Sequence, residues 1–229
     1  MNFISNLFSF RLSIFNLVYT CYWHLVDKQK SQRLIKSYKS YLAGGEGDNW
    51  HSCCNQMMED VPKESIYDSV SKLPLAPGVL RLLKSIKSIN YIVSDSNRKF
   101  IDILLKAHDL EGCFSGVFTN DFEEETKKII TYEIAYNAKR SNDCKSCSRD
   151  HMCKGDVVQK LMEKHADSIF YYFGDGENDH CPMKIIGEKS VNKCFCRRGF
   201  SLEQALITSP LPHVTLYSDA SEILNKISS

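Results

Sequence analysis

Two aspartates four residues apart, Asp175 and Asp179, directly follow a short apolar stretch at residues 168–172. An apolar run of this length, bounded by turn residues, is typical of a central strand in a parallel sheet. Glycines on either side of Asp175 let the chain turn sharply at the end of that strand, where ligands of open α/β sheets gather. The pattern predicts a divalent-cation site made of carboxylate oxygens, with a solvated acidic turn as the alternative.

A second apolar run, at residues 89–93, ends in Ser94 and leads into an amphipathic stretch from Arg98 to His108. The predicted strand therefore ends where a helix begins. The first N–H groups of a helix lack intrahelical partners and lie at the positive end of its dipole, so they bind anions. We expect Ser94 to donate a further hydrogen bond to a phosphate oxygen; a purely structural serine N-cap is the alternative.

Lys154 is the third candidate, because it lies just before an apolar periodicity at residues 157–162. A lysine at the entry to a helix can neutralise a phosphoryl group as a compact positive charge. A solvated lysine at a helix start is the alternative.

The order of these features resembles motifs two, three and four of the haloacid dehalogenase superfamily. Further segments resemble its phosphoethanolamine/phosphocholine and pyridoxal-phosphate phosphatase branch, from about Ser37 to the C-terminus; they lie at 72–78, 93–97, 118–120, 144–154, 174–182 and 197–200. The resemblance implies a magnesium-dependent phosphatase acting on a small phosphorylated metabolite. It also implies roles for single residues: catalysis by Ser94, Lys154 and Asp175, substrate binding by Ser94, Asp95, Asn97 and Lys154, and Mg²⁺ binding by Asp175 and Asp179.

The family's first motif, Asp-Phe-Asp-x-Thr-Ile, supplies the aspartate that attacks phosphorus, and no Asp-x-Asp occurs in the first hundred residues. Counting back from Ser37 places the motif at residues 7–14, where Ser9 and Arg11 replace its two aspartates. Serine has no carboxylate to bind a metal or form an acyl phosphate, and arginine does not shuttle protons near neutral pH. Two interpretations stay open: a catalytically inactive phosphate-binding or regulatory homologue, or a truncated or mis-specified N-terminus.

The alternation of predicted strands and helices favours an α/β fold, a Rossmann-like doubly wound parallel sheet. The resemblance adds a small helical cap inserted after the first strand. The expected division is a first core strand within residues 1–15, the helical cap at 16–72 and the phosphatase core at 73–229. The 229 residues suit one such core with a small cap.

Composition excludes some classes of partner. The formal net charge is +1, without the basic stripe that binding to a nucleic-acid backbone requires. The uncharged stretch from Leu12 to Val26 is about 15 residues long, shorter than the ~20 needed to span a bilayer, and lacks the marks of a secretory signal. We expect a cytoplasmic protein with no membrane segment; an N-terminal anchor is the alternative, and the oligomeric state is left open.

Ten cysteines are present, and with no other sign of secretion most are expected to be reduced thiols. Cys144, Cys147 and Cys153, with His151 beside them, have a spacing that suits a zinc site if all four converge. A plain reduced cluster and a redox-labile pair are the alternatives.

Overall fold

The computed structural model describes residues 4–9, 23–85, 88–135 and 152–227. Within them the strands are β1 (Ile4–Ser9), β2 (Ile89–Asn97), β3 (Gly116–Glu123), β4 (Lys128–Ile130), β5 (Ile169–Gly174), β6 (Lys193–Arg197) and β7 (Val214–Tyr217). The helices are α1 (Lys28–Leu42), α2 (Trp50–Met58), α3 (Lys63–Ser71), α4 (Val79–Ser85), α5 (Arg98–Ala107), α6 (Tyr132–Ala135), α7 (Lys154–Lys164), α8 (His180–Ile186), α9 (Ser201–Thr208) and α10 (Ser221–Ile227).

The strands form one sheet in the order β4-β3-β2-β1-β5-β6-β7. All neighbouring pairs are parallel except β3 and β4, which are antiparallel. Strand β1 therefore lies in the middle, between β2 and β5. This architecture confirms the predicted α/β fold with a Rossmann-like parallel sheet.

The sheet is buried on both faces, as its apolar strands require. Successive side chains of a strand point to opposite faces, and β5 shows this directly. Tyr171 and Phe173 belong to one apolar cluster, whereas Phe170 and Tyr172 belong to a second. The helices that cover the two faces fix the sheet, so the carboxyl ends of its strands form one rigid edge.

Helices α1, α2 and α3 lie between β1 and β2 in the chain; we call them the three-helix unit. The unit packs against the β3–β4 hairpin. The Asn55 side chain accepts a hydrogen bond from the Ile129 N–H at 2.8 Å, and the Lys127 ammonium donates to the carbonyls of Glu59 and Val61 at 2.6 and 2.9 Å. The division into residues 1–15, 16–72 and 73–229 stays a prediction.

The described elements add detail to the sequence-based expectation. Strand β1 covers Ile4–Ser9, and residues 10–14 of the predicted first motif lie outside the described residues. Between Asp121 and Ala135 the chain forms the end of β3, strand β4 and helix α6. The final helix begins at Ser221, and the Asp219 side chain accepts a hydrogen bond from the Ser221 N–H at 2.7 Å. None of the helices in the described part of the chain is long and apolar enough to cross a membrane.

Candidate active site

The sheet register brings the three candidate strand ends to one edge. Ser9, the last residue of β1, pairs with Val93, the residue before Ser94. On the other side of β1, Phe8 pairs with Phe173, which precedes Asp175 by two residues. The backbone therefore places Ser9 between the strand ends that lead to Ser94 and Asp175, and its alignment with the first motif stays a prediction. Arg11 lies outside the described residues.

Lys154 and Asp179 form a fully buried ion pair at this edge, with 2.7 Å between the ammonium and Oδ1. Lys154 opens helix α7, whose Val157 and Leu161 pack into the core, so the helix start is fixed against the strand ends. The lysine is therefore not the solvated residue that its type usually indicates.

Asp179 accepts hydrogen bonds from two side chains and two backbone N–H groups. The Lys154 ammonium and the Tyr172 hydroxyl donate to Oδ1, and the backbone N–H groups of Asp175 and Gly176 donate to Oδ2 at 3.0 Å each. These bonds occupy both oxygens, so in this structure Asp179 holds the lysine and the loop in place. The role of Asp179 as a metal ligand stays a prediction, as does that of Asp175, which is fully buried on the same loop.

Gly174 is required where the Asp179 side chain folds back over the strand end. A Cβ atom at position 174 would lie 2.7 Å from both Cβ and Cγ of Asp179. We expect Gly174→Ala to lower the free energy of unfolding by about 1–3 kcal/mol, because the overpacked loop has to move. Gly112→Ala is the matched control, since no atom lies within 4 Å of a Cβ there. Urea denaturation of both variants measures the difference, and equal stability would contradict the assigned contact.

Asn178 joins the lysine to the end of β2. Its Oδ1 lies 3.3 Å from the Lys154 ammonium, and its Nδ2 donates to the carboxylate of Asp95. Asp95 is buried, with 1% of its surface exposed. A chain of polar contacts therefore runs from Asp95 through Asn178 and Lys154 to Asp179, across three separate elements.

Ser94 and Asn97 have local contacts that refine their predicted roles. The Ser94 Oγ accepts a hydrogen bond from the Ser96 N–H at 3.0 Å. The regular pairing of β2 with β3 is interrupted after Ser94, where the chain turns. Asn97, not Ser94, is the N-cap of α5, because its Oδ1 accepts from the Phe100 N–H at 2.9 Å. Ser94 is therefore not the N-cap that the structural alternative expected, and its hydroxyl still carries a hydrogen that it can donate.

Buried negative charge dominates this edge. Asp95, Asp175 and Asp179 are at most 1% exposed, and the fully buried Lys154 lies beside them. Arg197, at the end of β6, is 8% exposed, and its guanidinium lies 4.8 Å from the centroid of the Phe200 ring. Burial, followed by the charge of Asp175, raises the pKa of Tyr217. A buried carboxylate is costly unless it is hydrogen-bonded, paired with a positive charge or bound to a metal, so the carboxylates at this edge are candidate cation ligands.

The donor set fits Mg²⁺ rather than a softer metal. Mg²⁺ prefers carboxylate oxygens, is held by as few as one or two of them, and keeps several waters. No cluster of three or more His, Cys, Asp or Glu side chains suited to a metal occurs among the described residues, and Mg²⁺ binding by Asp175 and Asp179 stays a prediction. Burial raises the pKa of the nearby Cys196 to about 12, which keeps its thiol protonated at neutral pH.

The zinc prediction concerns residues that are only partly described. Cys144, Cys147 and His151 lie outside the described residues, whereas Cys153 is buried and is the N-cap of α7. A Cβ on Gly155 would contact the sulfur atoms of both Cys153 and Cys181, at 3.7 and 2.6 Å. The zinc, reduced-cluster and redox interpretations stay predictions.

Sequence reasoning did not single out four residues of the polar network: Tyr172, Asn178, Asn120 and His51. Asn178 lies between Asp175 and Asp179, and Asn120 ends the segment 118–120 that resembles the phosphatase branch. Both therefore lie in segments that the sequence already marked. His51 had none, because its contact with Asn120 joins residues 69 positions apart.

Comparison with known proteins places these features in a family. A thiamine phosphate phosphatase-like protein of Arabidopsis thaliana is 31% identical over 154 residues, covering 61% of this chain and 62% of the relative. The human pyridoxal phosphate phosphatase PHOSPHO2 is 29% identical over 60% of this chain and 58% of its own length. The human phosphoethanolamine/phosphocholine phosphatase is 25% identical over 62% and 53%. The chain thus matches less than two thirds of the length of each of these relatives.

Solved structures share the fold at low identity. A phosphoserine phosphatase described as a phospho-aspartyl intermediate analogue superposes with a TM-score of 0.65 at 15% identity, covering 99% of both chains. A haloacid dehalogenase family hydrolase from Salmonella enterica gives a TM-score of 0.64, covering 96% of this chain and 69% of that one.

The family model described as "Putative Phosphatase" matches residues 25–228. This range contains Ser94, Lys154, Asp175 and Asp179 but not β1, so it leaves the register of Ser9 and Arg11 untested. The chain belongs to this phosphatase family, and it shares its fold with a haloacid dehalogenase family hydrolase.

Proposed function

We propose that this protein is a magnesium-dependent phosphatase for small phosphomonoesters, with its site at the carboxyl edge of the sheet. The observation that carries the proposal is the fully buried Lys154, held between Asp179 and Asn178 beside the strand ends. A buried ammonium fixed in one position is a preorganised positive charge for a phosphoryl group. Burying that charge costs desolvation free energy, which binding a phosphoryl group would explain.

The residues at this edge divide the work of binding a phosphomonoester. The Lys154 ammonium neutralises charge on the phosphoryl oxygens, and Ser94 donates its hydroxyl hydrogen to one of them. Asp95 and Asn97 lie on the same strand end and contact the remainder of the substrate. Asp179 orients the lysine through the 2.7 Å ion pair, so it acts through Lys154.

Mg²⁺ would be held by Asp175, together with water and substrate oxygens. When bound, the ion supplies positive charge that neutralises the phosphoryl group. Asp179 supports this arrangement indirectly, because it accepts the N–H of Asp175 and so fixes the loop that carries the ligand.

Asp175→Asn is expected to weaken Mg²⁺ binding at least about tenfold, because the amide loses the charge that attracts the ion. Calorimetry with Mg²⁺, alone and with vanadate present, measures this, and wild type is expected to bind the ion more tightly with the anion. Asp68→Asn is the matched control, since Asp68 is exposed and pairs with Lys72. Equal affinity of wild type and Asp175→Asn for Mg²⁺ would contradict the assigned ligand, and no Mg²⁺ binding by wild type with vanadate present would contradict the proposed metal dependence.

Pyridoxal phosphate, phosphoethanolamine and phosphocholine are the substrate class that we propose. It rests on the names of the relatives and on the aromatic pair of Tyr38 and Trp50 in the three-helix unit, whose ring centroids lie 5.1 Å apart. Aromatic faces stack on a pyridine ring or attract a quaternary ammonium. A cytoplasmic location also stays a prediction.

Phosphate binding without turnover is the second candidate function, and Ser9 favours it. The residue stands at the end of the central strand and has no carboxylate. A protein with this substitution retains Lys154 and Asp175 for binding while lacking the family's attacking group.

A further inference from the structure

His51 in α2 makes a buried contact with the end of β3. Its Nε2 lies 3.2 Å from the side-chain nitrogen of Asn120, and the two residues are 4% and 0% exposed. Because α2 belongs to the three-helix unit and β3 to the sheet, this contact joins the two parts of the molecule next to the site.

The orientation of the Asn120 amide is fixed by its other partners. The backbone N–H of Tyr132 donates to its Oδ1 at 2.8 Å, and its Nδ2 donates to the backbone carbonyl of Asp95 at 2.8 Å. A backbone N–H only donates and a carbonyl only accepts, so the amide cannot be reversed. The Asn120 nitrogen therefore faces His51, and the imidazole Nε2 has to accept. The ring is then neutral, with its hydrogen on Nδ1.

The contact continues into the phosphate-binding residues. Asn120 donates to the carbonyl of Asp95, whose carboxylate accepts from Asn178, and Asn178 contacts the Lys154 ammonium. His51 is thus the end, on the helical side, of a hydrogen-bonded chain that leads to the lysine.

We propose that His51 is a positioning residue that holds the three-helix unit over the strand ends by accepting a hydrogen bond from Asn120. The inference rests on the proposed function, since it assigns the three-helix unit a place over a phosphomonoester site. The Asn55–Ile129 and Lys127 contacts attach the same unit to the β3–β4 hairpin. Loss of the His51 contact is therefore expected to loosen the side next to the site without detaching the unit.

The wild-type protein provides the first test. Nitrogen-15 NMR of the imidazole distinguishes a protonated from an unprotonated ring nitrogen, and we expect His51 to carry its hydrogen on Nδ1 at neutral pH. A hydrogen on Nε2 would overturn the proposal, because two donors would then face each other. This measurement requires neither a variant nor a ligand.

Two amide substitutions provide the second test. The oxygen of glutamine reaches the region of Nε2, whereas that of asparagine ends near Nδ1. His51→Gln is expected to keep vanadate affinity within about threefold of wild type, and His51→Asn to weaken it about tenfold, the size of one hydrogen bond. Amide hydrogen exchange in α2 is expected to quicken in His51→Asn alone. Equal impairment of both variants, or wild-type behaviour of both, would overturn the acceptor role.

The exchange measurement also separates this proposal from the proposed function. If wild type fails to bind vanadate with Mg²⁺, the proposed function fails. Faster exchange in His51→Asn than in His51→Gln would still support the His51–Asn120 contact, and identical exchange would overturn it.

Discussion

Lys154→Met is expected to lower the free energy of unfolding by about 3 kcal/mol and to weaken vanadate binding at least about tenfold. Removing one partner of a buried ion pair leaves the other charge uncompensated, at a cost of roughly 3–5 kcal/mol. The lower end applies because Asp179 retains the Tyr172 hydroxyl and two backbone donors. The loss of affinity follows from removing a charge-assisted hydrogen bond to the anion. Urea denaturation and vanadate titration measure the two effects separately.

Lys160→Met is the matched control, because Lys160 is exposed on the same helix. It is expected to leave both quantities nearly unchanged. The double variant Lys154→Met with Asp179→Asn is expected to recover part of the stability but none of the anion affinity, since the buried charge is gone and the lysine is still absent. Wild-type stability and affinity in Lys154→Met would remove the lysine from the site.

The sequence predicted the fold and the edge of the site because its signals were local. The apolar runs before Ser94 and Asp175 identify buried strands by length and flanking residues alone, and parallel strands place their ends together. Short elements were not predicted, because they carry no such local signal. Strand β4 has 3 residues and helix α8 has 7, too few to show a periodicity.

The separate roles of the polar residues depend on tertiary contacts that no local sequence pattern reveals. Asp175 and Asp179 are the same residue type in the sequence. Only the tertiary structure shows that the Asp179 side chain folds back over Gly174 and binds Lys154. Likewise Asn97, not Ser94, caps α5, because the chain turns at Ser94 and the helix starts four residues later, at Arg98. His51 reaches the network only through tertiary packing.

Restoring carboxylates at positions 9 and 11 is expected to raise magnesium-dependent phosphatase activity by about 100-fold or more. Ser9 ends the central strand in register with Val93, next to the strand ends that carry Ser94 and Asp175. An aspartate there supplies the nucleophile, and a carboxylate at position 11 supplies the general acid and base, each commonly worth several orders of magnitude in rate. Ser9→Asp alone is the intermediate control, since it restores the nucleophile without the proton shuttle.

Phosphate release from pyridoxal phosphate and phosphoethanolamine, with Mg²⁺ and with chelator, tests the central claim most directly: the site binds phosphomonoesters, and its turnover is limited by the residues at positions 9 and 11. The expected result is slow release by wild type and fast release, abolished by chelator, by Ser9→Asp with Arg11→Asp. Rapid magnesium-dependent release by wild type, unchanged in the double variant, would contradict the account and locate the nucleophile elsewhere in the chain.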